Sequence, residues 1–79
     1  MCLGVPGRIT DVWEDGGARL AHADFVGETR QICLNYLPEL TVGDHVIVHA
    51  GFALTRLTEA EADATIAMMR EFGLLEETS

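Results

Sequence analysis

The sequence has only two cysteines, five basic residues and no long apolar run, and each shortage removes a class of protein. Cys2 and Cys33 stand thirty-one positions apart, so they form neither a CxxC pair nor the dense framework that staples small secreted domains. A tetrahedral zinc site would have to draw on Cys2, Cys33, His22, His45 and His49, and these show no motif spacing. The basic complement is five arginines against thirteen Asp and Glu, for a formal net charge of −8. Such a surface repels phosphate backbones, which argues against a nucleic-acid partner. Apolar stretches such as Val46-Ile47-Val48 fall far short of the ~20 residues of a membrane span. The first residues also lack the basic-then-apolar plan of a signal peptide. The expected compartment is the cytoplasm, with no membrane partner. No nucleophile and base spacing, phosphate-cradling glycine loop or carboxylate pair stands out, so the chain is not expected to be an enzyme.

What remains is 79 residues of which 48% are apolar, enough for one domain over 1–79 and no second core. β-formers run from Val5 to Trp13, and Glu14-Asp15-Gly16-Gly17 supplies turn chemistry. A second strand over about Ala18–Phe25 puts Leu20 and His22 on one face and Ala21 and Ala23 on the other, with Gly27 marking the next turn. In a third, about Glu28–Leu34, Arg30, Ile32 and Leu34 share a face and Cys33 points to the opposite side. Pro38 makes the following stretch a connection whose apolar residues could cap one end of a barrel. His45–His49 and Phe52–Leu57 read as two more strands broken at Ala50-Gly51.

Thr58-Glu59-Ala60-Glu61 then matches a capping box, which opens a helix over about 59–72 with Ala62, Ile66, Met69 and Phe72 on one stripe and Gly73 as the stop. Residues 74–79 form an acidic tail with no assigned structure. The pattern predicts a mainly β fold: a small, partly open OB-like barrel of about five strands, residues 1–57, with the C-terminal helix packed on it.

The most unusual local feature is Met1-Cys2. A small second residue generally permits removal of the initiator methionine, which would leave thiol and α-amine on one residue and favour the thiolate. Read structurally, Cys2 is a small apolar residue at the start of a strand, and Cys33 is the same in mid-strand. His49, at a strand end beside Ala50-Gly51, is the best-placed histidine for a metal; the plain reading is a hydrogen-bonded structural group. Pro6-Gly7 lends itself to a stiff, then permissive bend that could hold the N-terminal segment away from the barrel for a partner, and it fits an ordinary strand entry equally well. A bulky charged residue there is expected to leave the barrel folded.

Met1-Cys2-Leu3-Gly4-Val5-Pro6-Gly7-Arg8 resembles the N-terminal signature of the HypC/HupF hydrogenase-maturation chaperones. Residues 43–54, Gly-Asp-His-Val-Ile-Val-His-Ala-Gly-Phe-Ala-Leu, resemble that family's second block. The resemblance implies an OB-like barrel with a C-terminal helix, and a carrier, not an enzyme. It further implies two partners, the HypD scaffold and the precursor of the hydrogenase large subunit. Its cargo would be iron as a transient Fe(CN)2CO fragment, with no permanent cofactor. Cys2 matches the family's N-terminal cysteine and His49 the histidine of its second block, which makes these two the implied metal ligands. Cys2, Leu3, Gly4, Val5, Pro6 and Gly7 are the implied partner-binding segment. The alternative is an OB-like binding or adaptor module without a metal role. An oligonucleotide binder would need a basic groove and stacking aromatics that this sequence lacks.

Overall fold

The computed structural model describes residues 4–74, so that Met1, Cys2, Leu3 and the tail at 75–79 lie outside the described residues. Five strands and a helix follow in chain order: β1 (Gly7–Asp15), β2 (Ala18–Phe25), β3 (Glu28–Cys33), β4 (His45–His49), β5 (Phe52–Leu57) and α1 (Glu59–Glu71). The first strand starts two residues later than the β-former run suggests. Pro6 has no amide hydrogen to give a ladder, and Gly4 at φ +82° lies outside extended conformation.

Three hairpins turn through two residues of positive φ: Gly16-Gly17 at 57° and 89°, Val26-Gly27 at 53° and 93°, and Ala50-Gly51 at 53° and 86°. Turns of that hand match the right-handed twist of the strands they join. Glycine bears this conformation freely at the second position. Val26 and Ala50, at the first, carry a Cβ that meets the neighbouring carbonyl.

The strands close into a barrel in the order β1-β2-β3-β5-β4, where the sequence suggested a partly open one. Closure uses little ladder. β1 meets β4 at Gly7↔Val46 and Arg8↔His45, while β3 meets β5, running parallel, at Cys33↔Phe52. Alternation puts Ile9, Ala21, Ala23, Ile32, Val46 and Val48 inside. The connection after β3 adds Leu34 and Leu40, each fully buried, with Leu37 packed beside them. Its apolar residues therefore do plug the barrel, and Arg19 fastens it by donating from Nη2 to the Leu40 carbonyl at 3.1 Å.

The helix starts as its sequence requires. Thr58 Oγ1 accepts from the Glu61 amide at 3.0 Å, and Glu61 Oε1 accepts from the Thr58 amide at 2.8 Å. It ends in a Schellman motif, with Gly73 at φ +70° and the Leu74 amide donating to the Met69 carbonyl at 2.8 Å. The helix lies against β4 and β5, and buries Ala62 and Met69 outside the cluster that fills the barrel. Phe72 departs from the expected stripe and is 67% exposed. It is the C-cap, where the backbone leaves the helix and the spacing of four and three no longer fixes the side chain's face.

The strain at Val26 is measurable. Val26→Asn, which tolerates left-handed backbone, should raise the unfolding free energy by about 0.5–1.5 kcal/mol in urea titration. A loss of similar size would mean that Val26's contacts outweigh its backbone cost.

Candidate functional site

The N-terminal segment is fastened where the barrel closes. Pro6 and Gly7 are both buried. A Cβ built on Gly7 would stand 2.4 Å from Phe25 Cε1, so the phenyl ring fills the space that any side chain would need. A bulky residue at Gly7 therefore requires the Phe25 ring to move, a condition that the sequence does not announce. The next residue, Arg8, sits in register with Asp24 of β2 and with His45 of β4. Gly4 and Val5 are half-buried. If the β1–β4 register is continued toward the N-terminus, position 4 falls level with His49, although Pro6 and the positive φ of Gly4 interrupt regular pairing. Cys2 and Leu3, the remaining candidates of this segment, lie outside the described residues.

Above this closure, between the helix and the outer side of the strands, runs a groove of about 430 Å³. Pro6, Arg8 and His45 line its strand side, and Asp63, Ile66 and Arg70 its helix side. The groove thus gathers two of the chain's five arginines and a histidine alongside two aspartates, Asp24 and Asp63, a balance of charge within a chain of acidic excess. Asp24, also on its wall, is engaged in the β2–β3 turn, accepting from the Gly27 amide at 2.7 Å. The sequence presents His45 only as a scattered metal donor and Arg8 only as the end of the N-terminal signature, and it draws no attention to Arg70. A signal existed in the even spacing of Pro6 and Arg8, which puts both on one face, but only the register with β4 and the helix docking makes a groove of them.

His49 is exposed at the last position of β4, beside the strained Ala50-Gly51 turn. Its partner across the hairpin is Phe52, and Phe52 in turn pairs with Cys33. Val48, Ala53 and Ile32 are buried, so their neighbours His49, Phe52 and Cys33 share the outer face in one row. Tyr36 adds a ring 5.3 Å from that of Phe52, and both aromatics are exposed, at 66% and 38%. Cys33 forms no disulfide among the described residues and is half-buried, and its amide donates to the Gly51 carbonyl at 2.8 Å. It points outward, as the strand alternation predicts. The structure therefore sets Cys33 across one aromatic from His49, a neighbourhood that the sequence does not announce. His22 stands on another hairpin, with Nδ1 2.9 Å from Asp11 Oδ1 and its ring 4.7 Å from that of Trp13. Among the described residues, no three His, Cys, Asp or Glu side chains converge on a point where they could hold a metal. No helix of the described residues is long and apolar enough to cross a membrane.

Residues 1–69 match the profile of the HupF/HypC family. The chain is 43% identical over 77 residues to a hydrogenase maturation factor HypC of Azotobacter chroococcum, an alignment covering 98% of this chain and 88% of the relative. It is 37% identical over 76 residues to the hydrogenase maturation factor HypC of Synechocystis, covering 94% of this chain and 100% of the relative. It is also 36% identical over 75 residues to the hydrogenase maturation factor HybG of Escherichia coli K12, covering 90% of each.

Gly7→Ala tests the fastening. It should lower the unfolding free energy by about 1–3 kcal/mol through overpacking. Combination with Phe25→Leu, which vacates the contested space, should recover part of that loss in a double-mutant cycle. A neutral Gly7→Ala would show that the ring moves aside freely.

Proposed function

The chain belongs to the HupF/HypC family, and we propose on that footing that it is a hydrogenase-maturation chaperone that carries iron and does not itself catalyse. Its cargo is the Fe(CN)2CO fragment, held together with HypD and handed to the precursor of the hydrogenase large subunit in the cytoplasm. The observation that carries this reading is that the family match begins at residue 1 and so includes the Cys2 segment. Support comes from the Gly7 and Phe25 contact, which gives that segment a defined point of departure from the barrel.

The chemistry assigned to the donors follows from their types. A thiolate at Cys2 is a strong donor to low-spin iron, and the exposed His49 imidazole can act as a second, neutral donor or orient the cargo by a hydrogen bond. Cyanide and carbon monoxide travel on the iron as its own ligands. The partner-facing role of the N-terminal segment divides between two groups. Cys2, Leu3, Gly4 and Val5 are its contact residues, while Pro6 and Gly7, being buried, set its position.

A binding module without a metal role is the second reading, favoured by the exposed pair of Tyr36 and Phe52, which suits protein contact as well as it suits a lining for a cargo. Infrared bands of bound cyanide and carbon monoxide separate the two. Protein co-purified with HypD should show them, Cys2→Ala should lose them, and Cys33→Ala should keep them. His49→Ala should weaken retention by about 10–100-fold, the usual loss for a supporting group. Full band intensity in Cys2→Ala would remove the ligand assignment. Equal loss in Cys33→Ala would move that assignment to the row beside Phe52.

A further inference from the structure

Barrel closure through β3 and β5 leaves part of β3 without a neighbour. The two strands meet at Cys33↔Phe52, so on that side residues 28–32 have no strand partner among the described residues. Which backbone groups face outward can be read from the other side. The Leu34 amide donates to the Arg19 carbonyl of β2 at 2.8 Å, and the Cys33 amide donates away from β2, to Gly51. Antiparallel ladders alternate residue by residue, so Ile32 and Arg30 bond to β2 while Gln31 and Thr29 direct both amide and carbonyl to the unpaired side. Glu28, Thr29, Arg30 and Gln31 are all exposed.

Folded proteins commonly blunt such an edge with proline, a bulge, an uncompensated charge or a covering element. Among the described residues none of these protects β3. It contains no proline, its register with β2 runs without a shift, and its two charges cancel in the Glu28–Arg30 ion pair at 2.8 Å. A neutral strand edge in a chain of net charge −8 is open to approach where the rest of the surface favours only cations.

We propose that this edge of β3 is a docking strand for an extended, uncharged segment of a client protein, which pairs with Thr29 and Gln31 by backbone hydrogen bonds. The inference rests on the chaperone reading for the identity of the client. A second copy of the chain fits poorly. Pairing Thr29 with Thr29 ends the ladder at once, because the Gly27 amide is already given to Asp24 and Gly27 has φ +93°. Pairing Thr29 with Gln31 sets Arg30 against Arg30, and pairing Gln31 with Gln31 needs the Cys33 amide, which Gly51 holds. An extended segment from another protein meets none of these conflicts, and it can use both donors and both acceptors.

Amide hydrogen exchange of the whole chain, alone and in complex with HypD or with the large-subunit precursor, tests the pairing. Thr29 and Gln31 should exchange rapidly in the free chain and slow by about tenfold or more in one of the complexes. Exchange unchanged at both positions in complexes that do form overturns the docking strand and leaves the chaperone reading standing. Failure to bind either protein overturns both. Gln31→Pro removes an outward amide without touching the β2 ladder, and should weaken client binding by about tenfold while the far-ultraviolet dichroism stays as in the parent. Parental affinity in a folded Gln31→Pro variant likewise overturns the proposal. If that variant unfolds, the exchange of the parent chain decides.

Discussion

Closing a barrel requires every strand to pair along both of its edges, and at Arg8 the strand β1 holds β2 on one side and β4 on the other, with Gly7 beside it paired to β4. The rest of the molecule depends on that crossing. It can form because Gly7 has no side chain, since the Phe25 ring occupies the place of a Cβ and seals the inside of the same corner. The chain immediately before Gly7 is thereby held between the end of the barrel and the helix, and Pro6 becomes part of the groove floor. Barrel closure and the placement of the N-terminal segment are consequently one constraint. Stability and presentation cannot be tuned separately at this position.

The features legible in the sequence are the local ones. Thr58 and Glu61 are three residues apart and complete each other's hydrogen bonds within one turn, so the helix start needs no tertiary information. The bounds of β2, β4 and β5 are equally plain, because two-residue turns with glycine at the second position punctuate a period of two. Pro6-Gly7 is an ambiguous signal for a physical reason. Locally it suits a free bend or an ordinary strand entry, and the strand does begin at Gly7, but its packing is set by Phe25, a residue distant in sequence. Phe72 is a misleading one, since a helical stripe is extrapolated at constant angle and the C-cap breaks the angle. The closing seam, one parallel pair at Cys33 and Phe52, was beyond any reading of single strands.

The same limit applies to the candidate site. His49 could be picked out because strand end, turn and histidine are adjacent in the chain. The groove of Arg8, His45 and Arg70 could not, because its members come from three elements and only registers unite them. Cys33 is the instructive case. Its outward direction follows from alternation, but its nearness to the His49 hairpin follows from the seam, and only the seam makes it a meaningful control for Cys2.

A carrier faces a demand that an enzyme does not: it must bind two proteins in turn and release each. Large apolar interfaces give affinity that is slow to undo, and the large apolar side chains that this barrel leaves exposed, such as Tyr36, Phe52, Leu54, Met68 and Phe72, are divided among the connection before β4, β5 and the helix. The contacts available to it are of other kinds, namely a short N-terminal segment, a small groove, an aromatic pair and a strand edge. Each is weak alone. Used together on one rigid barrel they raise affinity through effective concentration, and the loss of any one lowers it steeply. In the proposed role, that arrangement lets the change of a single contact, such as departure of the iron from Cys2 and His49, release the whole complex. A small acidic domain with scattered points of attachment is on this view suited to transfer because it binds by sums of modest terms.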